Sequence, residues 1–235
     1  MRIVEDNQFR AVVLKAIEHR EFRERLGVHQ SDLTYCLNKQ ALRRLHPADV
    51  NDADLLLYSL GYSTQRWLTG QDVDLPEKEV DGIIVTLDAE YDYCPWELKA
   101  SFQSSTRPVE ENLAWIKQIM AQCYVKETTT ARLTRLEIMG NWKSIYGKKI
   151  KDEQGNVTSD EKDLPENRKP TLSAWRFDFT QDELDKNWVW LKDRRDKFQE
   201  ILKTGILLLK IVAIPSGQEW ECDRCNYQGN LCKEN

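Results

Sequence analysis

Apolar residues recur at helical spacing along residues 7–70, with charged residues between them. This pattern predicts amphipathic helices, and glycine or proline follows each stretch where a helix is expected to end. A serine or aspartate precedes the second stretch, as is typical of an N-cap. The three helices are expected over residues 7–26, from Ser31 or Asp32 to Leu45, and from about Asp52 to Leu68.

The pattern changes to a period of two between Val80 and Ser101, which predicts a pair of adjacent strands. Asp81 belongs to the first strand, and Glu97 and Lys99 belong to the second. Alternate strand residues point to the same face, so Glu97 and Lys99 share one face. If the two strands pair, Asp81 comes beside Glu97, and two carboxylates and one ammonium meet at the edge of a sheet.

Helix and strand patterns alternate through the second half of the chain. A capping box at Thr180 and Glu183 opens the last long helix, and Gly205 is its expected C-cap. The order of elements predicts an α/β (α+β) fold with a central mixed sheet flanked by helices. The further elements are a helix over Val109–Lys126, strands over Ala131–Trp142 and Thr171–Phe179, a polar insertion over residues 143–169, and a helix after Thr180 to about Lys203.

Composition and charge narrow the class of protein. No apolar run approaches the length of a membrane span, and the amino-terminal residues lack a secretory pattern, so a cytoplasmic protein without a membrane partner is expected. The formal net charge of −5 argues against a generally basic nucleic-acid-binding surface. It leaves room for local basic patches, because affinity for nucleic acid depends on the charges that touch phosphates.

Asp81, Glu97 and Lys99 suggest metal-assisted hydrolysis. Two carboxylates can hold Mg²⁺ or Mn²⁺, which takes further ligands from water and from substrate phosphate. Such a metal activates water, and a nearby lysine can position that water or stabilise developing negative charge. Taken alone this pattern is weak, because it also fits the solvated face of a hairpin.

Three cysteines lie close together near the carboxyl end, in the pattern Cys222-x2-Cys225-x6-Cys232. Three thiolates do not complete a tetrahedral site, so a fourth ligand is expected from elsewhere in the chain. Cys36, Cys94, Cys123 or a histidine can supply it. Zinc and an iron–sulfur cluster are both compatible with this ligand chemistry, and the spacing alone favours zinc.

Five separated motifs together resemble the iron–sulfur branch of the RecB-like PD-(D/E)xK nucleases. The resemblance covers nearly the whole chain, and it is greatest to the CRISPR-associated family called Cas protein four; the nuclease domain of AddB has the same plan. The family has a restriction-endonuclease-like core. The motifs are the segment from His29 to Cys36, Asp81-Gly82, Glu97-Leu98-Lys99, Gln118, and the carboxyl-terminal cysteines.

The resemblance implies a role for each of these residues. Cys36 becomes the fourth ligand of a 4Fe–4S cluster held with Cys222, Cys225 and Cys232, and this cluster joins the two ends of the chain. His29, Asp81 and Glu97 become metal ligands, Lys99 the catalytic lysine, and Gln118 the helix residue that orients the site. The family usually has a tyrosine four residues after that glutamine. Here the position is Gln122, and Tyr124 is the nearest alternative.

The expected protein is a single RecB-like nuclease domain over residues 1–235. It has a helical amino-terminal segment (1–50), a PD-(D/E)xK core (51–205) and an iron–sulfur segment (206–235). The implied activity is a Mg²⁺- or Mn²⁺-dependent 5′→3′ exonuclease on single-stranded DNA or DNA ends, in recombination or CRISPR spacer processing for antiviral defence. DNA and other nuclease or CRISPR adaptation proteins are the expected partners. The alternatives are a non-catalytic module that binds DNA ends or a partner, and a zinc-clasped interaction protein.

Overall fold

The computed structural model describes residues 6–21, 26–47, 51–70, 75–101, 108–138, 149–151, 153–154, 157–160, 170–223 and 225–232. It has a mixed α/β architecture in which helices flank a mixed sheet, as expected. Among the described residues, no helix combines the length and the apolar character that crossing a membrane requires.

Among the described residues, four helices precede the first strand. The third predicted helix is confirmed as α4, where the Asn51 side chain accepts a hydrogen bond from the Asp54 amide and Gly70 closes the helix at φ +65°. The second prediction is wrong in one respect. The chain leaves the helix at Thr34, and a new helix begins after Cys36. The four helices are α1 (Asn7–Glu21), α2 (Gln30–Leu33), α3 (Leu37–Leu45) and α4 (Asp52–Thr69).

The strands of the described residues form three sheets, of two, four and two strands. A two-stranded sheet contains β1 (Lys78–Val80) and β2 (Ile83–Val85), which are antiparallel. The central sheet has the order β3-β4-β5-β8, with an antiparallel, a parallel and an antiparallel pairing in turn. Its strands are β3 (Ala89–Tyr91), β4 (Cys94–Ser101), β5 (Thr130–Glu137) and β8 (Thr171–Asp178).

The long helices cover one face of this sheet. Helix α5 (Leu113–Lys126) connects the parallel strands β4 and β5, and a single 3₁₀ turn (Val109–Glu111) precedes it. Helix α6 (Gln181–Thr204) follows β8. Its start is confirmed by the reciprocal hydrogen bonds of Thr180 and Glu183, and Gly205 ends it at φ +72°. A short helix, α7 (Lys210–Ala213), and a 3₁₀ turn (Glu219–Glu221) complete the chain.

Most of the predicted polar insertion, and residues 22–25 and 139–142 of two predicted elements, lie outside the described residues. The described part of the insertion includes an antiparallel pair of strands, β6 (Lys149–Lys151) and β7 (Val157–Asp160).

Two apolar clusters hold the layers together. The larger joins α2, α3, β2, α5 and α6 through fully buried side chains such as Leu37, Ile83 and Phe198. The smaller joins α5, β5 and α6, with Ile119, Cys123 and Leu133 fully buried. Helix α5 therefore packs against both clusters, and its position is fixed on two sides.

The amino- and carboxyl-terminal segments meet through buried polar contacts. The Glu221 carboxylate, 2% exposed, accepts hydrogen bonds of 3.0 and 3.2 Å from the backbone N–H of Cys36 at the start of α3. The Asn38 side chain and the Leu208 backbone exchange a pair of hydrogen bonds of 2.7 and 3.0 Å. These contacts bring residues that are far apart in sequence together.

Arg194 adds a second connection between the same segments. Its side chain is 4% exposed and lies over the ring of Trp190. The guanidinium donates hydrogen bonds to the backbone carbonyls of Leu33, Tyr35 and Ala213, at 2.5, 2.6 and 2.9 Å. Helix α6 thus holds the turn before α3 and the end of α7 in place at once.

Candidate active site

Strand β4 carries the first two residues of the site. Glu97 and Lys99 alternate with Trp96 and Leu98, so both point to the same face of the central sheet. Glu97 is fully buried, whereas the Lys99 side chain is 23% exposed. The Lys99 ammonium donates a short hydrogen bond to Oε1 of Glu97 and a second one of 3.3 Å to Oε1 of Gln118. The structure therefore brings Glu97, Lys99 and Gln118 together, as the sequence predicts.

Asp88 supplies the second carboxylate of the site. It lies between β2 and β3, and its Oδ2 accepts a hydrogen bond of 2.8 Å from the backbone N–H of Leu98. The carboxyl groups of Asp88 and Glu97 lie within hydrogen-bonding distance of each other. Burial, together with the neighbouring charge of Glu97, raises the pKa of Asp88 to about 7.

The charges in this buried cluster do not balance when both carboxyls are ionised. Asp88 and Glu97 together would carry two negative charges, and Lys99 supplies one positive charge. Although burial opposes it, the carboxylates of Glu97 and Asp88 raise the pKa of Lys99, so the lysine stays charged. Burial also raises the pKa of the nearby Tyr35 hydroxyl. The cluster therefore favours either a proton shared between the carboxyls or an added cation.

Gln122, one turn after Gln118 on α5, completes the polar cluster. It is fully buried, and its Nε2 donates to Oε2 of Glu97 at 2.6 Å and to the backbone carbonyl of Thr86 at 3.2 Å. Within the described residues its Oε1 is buried and has no hydrogen-bond partner. That acceptor is available to a water molecule held at the carboxylates.

Asp81, expected beside Glu97, lies elsewhere, and this placement is a correction. Asp81 and Gly82 both have positive φ, at 50° and 70°, and form the tight turn between β1 and β2. The Asp81 carboxylate, 47% exposed, accepts a hydrogen bond of 2.9 Å from the Trp188 indole. The turn sends Asp81 towards α6, and β1 does not pair with β4 among the described strands.

His29, expected as a metal ligand, is buried beside β2. It is 3% exposed, and its backbone forms an isolated bridge to Ile84 in β2. One ring nitrogen, Nε2, lies 2.9 Å from the carbonyl of Leu26, and Nδ1 lies 3.7 Å from the Glu77 carboxylate. The imidazole is therefore positioned next to Leu26 and Glu77.

Tyr124, the nearest tyrosine to position 122, packs against α6. Its ring stacks on Trp188 with centroids 4.4 Å apart and an interplanar angle of 10°. The amide of Gln122 makes the contact with Glu97 instead. Two residues of the cluster, Asp88 and Gln122, were therefore absent from the site predicted from the sequence.

An open cleft leads to the carboxylates between α4 and β4. Its volume is about 320 Å³, and its lining includes Asp88 and Lys99 on one side and Tyr58 and Tyr62 on the other. The two tyrosines are 47% and 46% exposed, and they lie one helical turn apart. Gln65 on the same helix donates to the backbone carbonyl of Asp88 at 3.0 Å. Helix α4 thus forms one wall of the cleft and also holds the segment that carries Asp88.

The four cysteines predicted as cluster ligands line a single small cavity between α3 and the carboxyl-terminal segment. Cys36 contributes from the start of α3, and Cys222, Cys225 and Cys232 contribute from the end of the chain. Burial raises the pKa of the Cys36 thiol to about 11. Cys94 and Cys123 are not among the lining residues, and Cys123 is buried in the smaller apolar cluster.

The donor sets fit the two groups that the resemblance implies. Four thiols around one cavity suit an iron–sulfur cluster or zinc, and two hard carboxylates suit Mg²⁺ or Mn²⁺. In the described part of the chain, no three His, Cys, Asp or Glu side chains are positioned to hold a metal ion as they stand. The carboxylate site would take its further ligands from water or substrate.

Comparison with known proteins identifies a shared fold. No protein-family model matches the chain, and no curated protein matches it. The crystal structure of SSO0001 matches with a TM-score of 0.52 at 13% sequence identity, over 93% of each chain. The two chains share a fold. A phage-related exonuclease from Haemophilus somnus 129PT matches with a TM-score of 0.45 at 12% identity, over 77% of this chain and 97% of that one.

Proposed function

We propose that this protein is a Mg²⁺- or Mn²⁺-dependent deoxyribonuclease of the RecB-like PD-(D/E)xK type. One observation carries the proposal. Asp88, which is half-buried, and Glu97, which is fully buried, have their carboxyls within hydrogen-bonding distance of each other, beside a single lysine. Such a pair needs a proton or a cation between its members, and a divalent cation bound by two carboxylates is typical of phosphate chemistry. In this assignment Asp88 takes the metal-binding role that was predicted for Asp81.

Each polar side chain then has a distinct task. A bound Mg²⁺ or Mn²⁺ supplies an activated water and polarises the scissile phosphate. Asp88 and Glu97 bind that ion, and Lys99 stabilises the negative charge that develops on the phosphate oxygens. Gln118 positions the lysine, because it accepts a hydrogen bond from the ammonium. Gln122 orients Glu97 by donating to its second oxygen.

The cleft beside α4 favours a single strand as the substrate. Tyr58 and Tyr62 present two rings along the wall that faces Lys99 and Asp88. Bases without a partner strand can stack on such rings, which contributes about 1–3 kcal/mol per base, whatever the sequence. We therefore assign the substrate as single-stranded DNA or a frayed DNA end. Cleavage in the 5′→3′ direction follows from the family resemblance.

A 4Fe–4S cluster bound by Cys36, Cys222, Cys225 and Cys232 completes the proposal. It is supported by the position of all four thiols around one cavity. The cluster has a structural role, because it joins the two segments that Glu221 and Arg194 already hold together. The biological setting that fits such an enzyme is recombination or CRISPR spacer processing in the cytoplasm, with other nuclease or adaptation proteins as partners.

The test compares two aspartates that lie close in sequence. Wild-type protein, Asp88→Asn and Asp81→Asn are incubated with end-labelled single-stranded DNA, with and without Mn²⁺. We expect Asp88→Asn to lose cleavage by at least about 100-fold, since ligand loss removes the metal's contribution. Asp81→Asn should retain it within a few-fold. Both variants should still bind the oligonucleotide when a chelator is present.

Two outcomes contradict the proposal. Equal cleavage by Asp88→Asn and wild type rejects the carboxylate pair as the metal site. Absence of any Mn²⁺-dependent cleavage by the wild-type protein, with oligonucleotide binding intact, favours the non-catalytic DNA-binding module.

A further inference from the structure

The face of the central sheet opposite to Glu97 carries a second open groove. Cross-strand partners share a face, and Trp96 on β4, Arg132 on β5 and Arg176 on β8 form one row across three strands. The groove above this row has a volume of about 430 Å³, which is in the range of ligand sites. Tyr91 and Ala174 also line it. The active-site cleft has none of these residues in its lining.

The two arginines in this row face each other directly. Arg132 and Arg176 are register partners in antiparallel strands, and like charges in that position destabilise a sheet. Arg176 donates twice to Oδ1 of Asp178, at 2.8 and 3.0 Å, so one carboxylate offsets one of the two charges. The row keeps an excess positive charge, which an anion in the groove would balance.

Arg132 has an unfilled hydrogen-bonding position. Its Nη1 is buried and has no hydrogen-bond partner among the described residues. The guanidinium carbon lies over the Tyr91 ring, 4.9 Å from its centroid. A guanidinium that is fixed in place and lacks an acceptor is well suited to a phosphate, which accepts from several N–H groups at once.

Aromatic rings lie next to this charged position. Tyr91 is 57% exposed, and the Trp96 indole is fixed by a hydrogen bond of 3.0 Å from its Nε1 to Oγ1 of Thr134. Small residues, Thr134 and Ala174, leave space beside the rings. An arginine with an unpaired N–H donor beside aromatic rings matches the two parts of a nucleotide, its phosphate and its base.

We propose that this groove binds one nucleotide unit of a single DNA strand outside the active site. The phosphate contacts Arg132 and Arg176, and the base stacks on Tyr91 or Trp96. The proposal rests on the proposed function for the identity of the strand as DNA. It adds a second binding site on the other face of the sheet. The DNA strand then contacts the protein both at this groove and at the active-site cleft, where the carboxylates act.

Binding is measured without metal, so that cleavage does not contribute. A fluorescent oligothymidylate is titrated with wild type, Arg132→Gln and the matched control Lys203→Gln, at several salt concentrations in chelator. Lys203 is exposed near the far end of α6 and loses the same charge. We expect Arg132→Gln to weaken binding about tenfold and to lower the salt slope by about one phosphate contact. Lys203→Gln should match wild type.

Two further arms identify the ligand. Thymidine 5′-monophosphate should bind more tightly than inorganic phosphate, and Tyr91→Leu should reduce this difference, because the ring supplies the stacking surface. Arg132→Lys keeps the charge but loses the planar fork, and its affinity should be intermediate. If Arg132→Gln fails to fold, Arg132→Lys and Tyr91→Leu still test the inference.

Three results overturn the inference. They are equal binding by Arg132→Gln and Lys203→Gln, equal affinity for the monophosphate and inorganic phosphate, and competition by polyglutamate as effective as that by oligothymidylate. Each of these results can be distinguished from failure of the proposed function, because that failure is measured in a different assay, as the absence of Mn²⁺-dependent cleavage by wild type.

Discussion

The backbone N–H of Leu98 donates a hydrogen bond of 2.8 Å to Oδ2 of Asp88. Leu98 lies between Glu97 and Lys99, so a single strand supplies one carboxylate, the lysine, and the amide that positions the other carboxylate. The distance between the two carboxyls is therefore set by the backbone of β4. The resulting pair places two like charges together, at a cost in electrostatic energy.

This cost predicts a pH-dependent stability of the metal-free protein. The pKa of Asp88 is about 7 in the folded protein, against about 3.9 for an unfolded aspartate, so the folded state binds more protons between these values. Stability should therefore fall as the pH rises from about 4 to about 7. Urea unfolding in chelator, at about pH 5 and about pH 8, should show a fall of at least about 1 kcal/mol from this group.

Asp88→Asn provides the control for that measurement. The amide does not titrate, so most of the fall should disappear in the variant, and Mn²⁺ should raise the stability of wild type more at the higher pH. Parallel pH profiles for wild type and Asp88→Asn would contradict a raised pKa at this position.

Gln122→Leu should harm both stability and activity. The substitution leaves Oε2 of the fully buried Glu97 without its donor, and a buried acceptor that loses its partner costs about 1–3 kcal/mol. Urea unfolding and a Mn²⁺ titration of cleavage measure the two effects. Gln118→Leu is the matched control, because Gln118 contacts Lys99 and is less buried. We expect Gln118→Leu to lower cleavage with a smaller loss of stability than Gln122→Leu. A Gln122→Leu protein as stable as wild type would refute the role proposed for the Gln122 amide.

Arg194→Met should be among the most destabilising single changes in α6. It removes the donor for three backbone carbonyls, those of Leu33, Tyr35 and Ala213. The loss should be about 3 kcal/mol or more, since each buried acceptor left without a partner costs about 1–3 kcal/mol. Lys197→Met, which removes a half-exposed ion pair with Asp193, should cost less than about 1 kcal/mol. Similar unfolding midpoints for the two variants would contradict the structural role of Arg194.

Cys36→Ser should remove the cluster, and Cys123→Ser should leave it in place. Cys36 lines the cavity with the three carboxyl-terminal cysteines, whereas Cys123 is buried in the smaller apolar cluster. Iron, sulfide and zinc are assayed on anaerobically purified protein, together with visible absorbance. The 4Fe–4S assignment is supported if wild type and Cys123→Ser contain iron and are coloured, while Cys36→Ser lacks both. Colourless wild-type protein with stoichiometric zinc would support the zinc-clasped alternative instead.

Local signals predicted the helices and the Glu-x-Lys strand well, because they depend on near neighbours in the chain. Gly70, Thr180 with Glu183, and Gly205 mark helix ends where the structure has them. The alternation of Glu97 and Lys99 correctly placed both on one face. Neither result required knowledge of distant contacts.

The position of the second carboxylate was harder to predict, although a signal was present. Asp-Gly between apolar residues, as in Val80 to Ile83, is a strong signal for a two-residue hairpin turn. A turn at Asp81 ends the strand there. The next acidic residue, Asp88, then becomes the candidate for the second carboxylate. The contact of Gln122 with Glu97 could not be found this way, because it depends on the packing of α5 against both apolar clusters.

Helix α5 carries Gln118 and Gln122 on one side while it connects the parallel strands β4 and β5. Each residue of a helix is rotated by about 100° from the one before it. A one-residue insertion or deletion between Gln118 and Gln122 would therefore turn the two amides to different sides of the helix, and only one of them could still face Lys99 and Glu97. The helical turn between the two glutamines is thus constrained in length by chemistry as well as by packing, and evolutionary change within it should come as substitutions.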